Sequence, residues 1–269
     1  MTSADGTGVS VEASALRRRA RPLTTRSIGP PVLALVPHAD DETLGCGGLL
    51  AGLFARGADV HLVLVTDGGA SHPRASGHTR AQRAAVREAE FAEAIRHLGG
   101  RGGDALRFWR QPDGALDRVD GGHQRASVAE LADWLRRGRY RTVLTPWRRD
   151  PHGDHRATTE LLWAARALAG APAPRVLEYP VWLGHQGDAR DYPLTGEAQV
   201  YYRTCSRGVA LRKRRALAAH RSQFGGVFDD PTGFTIPPAL AAGVETPREY
   251  YFEASPPRRP GGGHDDDDA

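Results

Sequence analysis

Apolar positions along the chain come in short continuous runs, and between the runs lie longer stretches with helical spacing. "PVLALV" (31–36) is such a run, of the kind shown by a strand buried on both faces, and "DVHLVLVTDGG" (59–69) repeats the form and ends in glycine. Between them "TLGCGGLLAGLFARG" has the length of a helix and also stops at glycine. The segment "HTRAQRAAVREAEFAEAIRHLGG" (78–100) places Ala85, Ala89, Ala92, Ile95 and Leu98 at helical spacing and predicts a helix ending at Gly99-Gly100. "ALRFW" and "YRTVLTPW" then read as strands, and "RASVAELADWLRRG" and "DHRATTELLWAARALAG" as helices.

Strands separated by helices of this length imply right-handed βαβ units, hence an α/β fold: a Rossmann-like, mostly parallel sheet with helices on both faces. After "RVLEYPVWLG" (175–184) the periodicity weakens. The last third is expected to add strands, a short helix around 208–220 and loops that wall a cleft. Residues 1–28 are polar, Arg-rich and aperiodic and read as a flexible N-terminal arm; 255–269, "SPPRRPGGGHDDDDA", read as a disordered tail. A single domain over 29–254 is the expectation.

Composition narrows the function. A chain of 269 residues, 40% hydrophobic, can bury a full core. Its 36 basic residues are nearly matched by 32 acidic ones, and no stretch interleaves Lys/Arg with stacking aromatics, so a nucleic-acid groove is unsupported. The basic clusters "ALRRRARP" and "LRKRRALAAHR" (211–221) read as solvated tail and helix face. No apolar run approaches the ~18 residues that a membrane span needs, and Cys46 and Cys205 show neither CxxC nor disulfide-framework spacing. A cytoplasmic protein is expected, with Cys46 a small buried residue; whether the chain forms a homo-oligomer stays open.

The chemistry gathers where strands end. In open α/β sheets ligands bind at the carboxyl ends of the strands. Residues 37–42, Thr66-Asp67-Gly68-Gly69 and Trp147 to His155 all lie there. "HADDE" (38–42) and "HGDH" (152–155) are rich in ordinary zinc ligands, and a catalytic zinc has three protein ligands with one position kept for water. Each piece has a plainer reading: Asp40, Asp41 and Glu42 could simply complement a helix N-terminus, and His152 and His155 could be surface residues. Their coincidence at strand ends favours a metal site. A dehydrogenase is disfavoured because no GxGxxG follows the first strand.

"HADDE" with "LGCGG", "VTDG" (65–68), "REAEFAEAIRHLG" (87–99), "HGDH" and "HRSQ" (220–223) together resemble the LmbE/PIG-L family of zinc-dependent N-acetylglucosamine deacetylases, over about residues 31–252. Ala39 and Gly153 stand where that family usually has proline. The resemblance implies an LmbE-like deacetylase domain that hydrolyses the N-acetyl group of a small-molecule sugar conjugate. In it His38, Asp41 and His155 would hold Zn2+, with Fe2+ or Mn2+ able to use the same ligands. Asp40 would be the general base acting on a zinc-bound water, and a His152 imidazolium would steady the oxyanion, with Asp154 a partner for one imidazole.

Glu42 reads equally as catalytic, supporting or helix-capping. An arginine from the "RxxE" helix, taken as Arg87 although Arg80 and Arg83 compete, and Asp113 would bind the sugar; Asp113 is equally an ordinary turn residue before Gly114. His220 either approaches the site or caps the short helix. Trp109, Trp147 and Trp182 are candidate sugar platforms. The alternatives to deacetylation are hydrolysis of another amide, as in the family's mycothiol-conjugate amidases, and a non-catalytic metal or sugar binder.

Overall fold

The computed structural model describes residues 11–254; the tail and the first ten residues of the expected arm lie outside them. Eight strands form one sheet: β1 (Arg21–Pro22), β2 (Val32–Val36), β3 (Val60–Thr66), β4 (Leu106–Gln111), β5 (Thr142–Pro146), β6 (Arg175–Tyr179), β7 (Ala198–Thr204) and β8 (Arg248–Ala254). Their spatial order is β1-β7-β8-β6-β5-β2-β3-β4, and every pairing is parallel except those of β8 with β6 and β7. The sheet is therefore mostly parallel and the fold α/β.

The continuous apolar runs are explained by two-sided burial. All five residues of β2 are buried, and its alternate side chains enter opposite layers. Val32, Ala34 and Val36 pack with Leu49, Phe91, Ile95 and Ala216 from α2 (Asp41–Ala55), α3 (Arg80–Leu98) and α7 (Arg207–Ala219). Leu33 and Leu35 pack with Leu131, Leu135, Leu161 and Leu162 from α4 (Gly121–Gly138) and α5 (Gly153–Ala169). Helices α2 to α5 stand where the spacing predicts them, and α7 is the short helix expected around 208–220.

Helix α3 starts at a reciprocal cap between Thr79 and Gln82 and ends at Gly99, whose φ of 103° suits a residue without Cβ. Its buried face differs from the expected one. Ala85 and Ala89 are exposed and Ala92 only half-buried, whereas Arg83, Arg87, Glu90, Phe91, Ala94, Ile95 and Leu98 are buried. Ile95 and Leu98 of the expected stripe lie on the inner face, but polar side chains occupy its N-terminal half because that half runs past the site, and an apolar-only count misses them.

The arm assignment for residues 1–28 also needs correction. Residues 11–19 form α1 (Val11–Arg19), Arg21 and Pro22 pair with Tyr201 and Tyr202, and Leu16, Leu23 and Ile28 are buried. Three apolar anchors spaced five to seven residues apart match neither strand nor helix period, which hid them.

Candidate active site

Strands β3 and β4 lie to one side of β2, and β5 and β6 to the other, so the gap between β2 and β5 is the topological switch point of the sheet. The loops leaving these two strands carry residues 37–41 and 147–155. The loops after β3 and β4 bring Gly68, Ala70 and Asp113 to the same end, and together they line a cleft of about 360 Å³ with His38, Asp40, Asp41, Arg87, His152, Trp182 and Phe234.

At its floor three donor atoms converge. His38 Nδ1 lies 3.1 Å from Asp41 Oδ2, His155 Nε2 lies 3.0 Å from the same oxygen, and the two imidazole nitrogens are 3.3 Å apart. Ligands held at 2.0–2.1 Å in a tetrahedron stand roughly 3.3 Å from one another, so this triangle fits a small divalent cation. The opposite ring nitrogens face carboxylates. His38 Nε2 is 3.0 Å from Asp154 Oδ2, and His155 Nδ1 is 3.1 Å from Asp150 Oδ1, off the line of an ideal hydrogen bond. A carboxylate only accepts, so each outward nitrogen is held as a donor; the inward nitrogens share their protons with Asp41, and a bound cation would take the place of those protons and receive the lone pairs.

Both carboxylates are themselves fixed. Asp154 accepts from the backbone N–H groups of Gly114 and Leu116, and Asp150 from those of Val181 and Trp182. Burial favours neutral groups here, but the charges overrule it. Asp41 is held well below the usual carboxylate range by His155 and His38, while Asp41 and Asp150 raise His155 to about 9. A bound cation replaces such shared protons.

Asp40 behaves differently from its neighbour. Burial pushes its carboxyl up to about 6 against the pull of Arg87, whose Nη2 approaches Asp40 Oδ2 to 3.4 Å. Asp40 lines the cleft, where a proton carrier must stand, and its carboxylate lies beside Arg87. Burial and the neighbouring His38 and His155 lower His152 to about 4, and its Nδ1 accepts from the Asp154 N–H at 3.2 Å. His152 is thus a neutral imidazole with its proton on Nε2, not the imidazolium expected: two flanking histidines oppose a third positive charge.

The three competing arginines separate clearly. Arg80 pairs with Asp67 at the surface, Arg83 donates to the Gly69 and His78 carbonyls, and Arg87 alone of the three lines the cleft. Arg87 Nε and Nη1 have no hydrogen-bond partner among the described residues. Asp113 is more than a turn residue: it accepts from the Ala70 N–H and stands 3.5 Å from His38 Nε2. Of the tryptophans, Trp109 and Trp147 are buried against Trp134 and Phe252, and only Trp182 reaches the cleft, beside Phe234. Asp150 escaped the sequence reading. It stands five residues before His155 in the same loop, but the spacing does not say which carboxylate meets which imidazole.

Residues 33–166 match the family model described as PIG-L: GlcNAc-PI de-N-acetylase. The diacetylchitobiose deacetylase of Thermococcus kodakarensis is 34% identical to this chain over 72% of the chain and 70% of the relative. The chain belongs to the PIG-L family. A 1D-myo-inositol 2-acetamido-2-deoxy-alpha-D-glucopyranoside deacetylase from Mycolicibacterium vanbaalenii is 30% identical over 81% of this chain and 88% of its own length. Among solved structures, the N,N'-diacetylchitobiose deacetylase of Pyrococcus horikoshii, in complex with an inhibitor, shares the fold with a TM-score of 0.57 at 24% identity, covering 72% of this chain and 70% of that one. The LmbE-like fold expected from the motifs is therefore present.

Proposed function

We propose that this PIG-L family protein is a divalent-metal hydrolase that removes the acetyl group from an N-acetylglucosamine-type conjugate, yielding acetate and a free amine. One observation carries the reading: His38 Nδ1, Asp41 Oδ2 and His155 Nε2 meet within 3.0–3.3 Å beside Asp40, which lines the same cleft. The names of the relatives, deacetylases of chitobiose and of a glucosamine–inositol conjugate, supply the substrate class.

His38, Asp41 and His155 hold the metal, and the two-imidazole, one-carboxylate set favours Zn2+ over Fe2+ or Mn2+. When bound, such an ion acidifies a water and polarises the acetamide carbonyl. Asp40 takes the proton of the attacking water and returns it to the nitrogen, because an amine anion is a very poor leaving group. His152 donates its Nε2–H to the oxygen that gains charge, a contribution of about 3–4 kcal/mol for one such donor. Arg87 and Asp113 offer donors and acceptors to the sugar hydroxyls, and Trp182 and Phe234 form the apolar side.

The test is acetate release from N-acetylglucosamine conjugates by zinc-loaded protein. Wild type is expected to turn over, Asp40→Asn to keep its zinc and lose about 10²–10⁴-fold in rate, and His38→Ala or His155→Ala to lose metal. A larger acid as product would transfer the reading to another amide. Full metal content in both histidine variants would refute the ligand assignment.

A further inference from the structure

Asp40 has φ 143° and ψ −26°, a conformation that a residue with a Cβ rarely adopts. Such a backbone persists only where its surroundings impose it. Two arms do so here. Arg87 Nη2 donates to the Ala39 carbonyl on one side. On the other, Glu42 Oε2 accepts the Asp40 N–H at 3.0 Å, while Glu42 Oε1 accepts from His220 Nε2 at 2.8 Å and from the Thr43 hydroxyl at 2.6 Å.

Glu42 and His220 are 0% exposed, and neither lines the cleft. His220 is held in turn. It closes α7 with its N–H on the Leu217 carbonyl, and the following Ser222 is bound through N–H and hydroxyl to Glu90 of α3 at 2.8 and 2.6 Å. A buried ionisable pair is a poor source of stability, since an apolar pair of similar volume often does as well. What an apolar pair would not provide is an acceptor for the Asp40 N–H.

We propose that the buried Glu42–His220 pair is a positioning device for Asp40, fixing its backbone so that its carboxylate lies beside Arg87 at the cleft. The inference rests on Asp40 being the base. Glu42 and His220 touch neither substrate nor metal; they act through Asp40. In Glu42→Gln the amide keeps an oxygen on the Asp40 N–H only by turning its NH2 toward His220 and Thr43, which forces a neutral His220 into the other tautomer and replaces the charged acceptor of the Asp40 N–H by a weaker, neutral one. In His220→Leu Oε1 keeps only the Thr43 hydroxyl and loses its tie to α7, whereas His220→Gln restores a donor at the Nε2 position.

The experiment measures kcat, KM and zinc content for the zinc-loaded wild type and these variants, each also examined by thermal melting. Glu42→Gln and His220→Leu are expected to lower kcat about 10–100-fold, as a displacement of about 1 Å can, with KM and zinc content unchanged, and His220→Gln to recover most of the loss. On an Asp40→Asn background Glu42→Gln is expected to cost nothing further. A wild-type kcat in both Glu42→Gln and His220→Leu, despite a lowered melting temperature, would make the pair merely structural and overturn the proposal. Loss of zinc from these variants would assign the pair to Asp41 instead and overturn it too. Absence of turnover in wild type on every amide would overturn the inference together with the reading of Asp40, whereas active wild type with unaffected variants overturns the inference alone.

Discussion

At the residue scale, Asp150 and Asp154 do the same work from opposite sides: each faces the outward nitrogen of one imidazole and turns the lone pair of the other inward. Asp150 also accepts the Val181 and Trp182 N–H groups, so its carboxylate is rigid before any ion arrives. Asp150→Asn replaces one acceptor oxygen by a donor, and the His155 tautomer is no longer enforced. Zinc affinity is expected to fall about 10–100-fold, read by competition with a chromogenic chelator, and an unchanged affinity would remove Asp150 from the metal-binding apparatus. The residue types of the site were legible in the sequence because "HADDE" and "HGDH" keep them at fixed local spacing. Their partners were not: the pairing of Glu42 with His220 spans 178 positions, and the neutrality of His152 depends on two rings brought beside it by different strands. Periodicity carries no information of either kind.

Among the elements, α2 shows why a helix that bears Asp41 is so rich in glycine. A Cβ on Gly45 would stand 2.3 Å from the Tyr179 ring, and one on Gly48 would meet Cys205 and Glu249. Tyr179 does not yield easily, being fully buried with its hydroxyl donating to the Leu35 carbonyl at 2.7 Å. The helix kinks at Cys46, and Glu249 accepts the N–H groups of Gly48 and Leu49 beyond the kink while pairing with the buried Lys213 at 2.7 Å. Lys213, in the basic run read as a solvated face, is thus an internal charge; composition could not separate it from the exposed arginines around it. Gly45→Ala is expected to lower unfolding free energy by about 1–3 kcal/mol through overpacking, measured by urea denaturation. Stability equal to wild type would show that Tyr179 has room to move. Lys213→Met leaves Glu249 without its cation and is expected to cost about 3–5 kcal/mol in the same assay.

Across the whole molecule, the βαβ order made the parallel half of the sheet legible, since its strands follow one another with a helix between each pair. The far edge was not. There β8 runs antiparallel between β6 and β7, and β1 joins β7 from a sequence distance of about 180 residues, judged by the pairing of Arg21 with Tyr201. Helix α1 is attached near this edge by the buried Leu16, in a cluster with Trp147, Leu183, Val200 and Phe252, and by Arg19, which donates to the Pro193 carbonyl and the Thr195 hydroxyl. Trp147 opens the loop that ends at His155, and its carbonyl accepts the Asp150 N–H at 2.9 Å, so the N-terminal segment braces the base of the site loop from behind. Truncating a buried leucine to alanine costs about 2–5 kcal/mol, and a cluster this small and close to the edge can partly collapse, which places Leu16→Ala near 2 kcal/mol. Zinc binds only the folded state and at a hundredfold excess over its Kd adds about 2.7 kcal/mol. Zinc is therefore expected to restore the denaturation midpoint of Leu16→Ala to about that of metal-free wild type. A midpoint that does not fall in Leu16→Ala would mean that α1 is not held against this edge in solution.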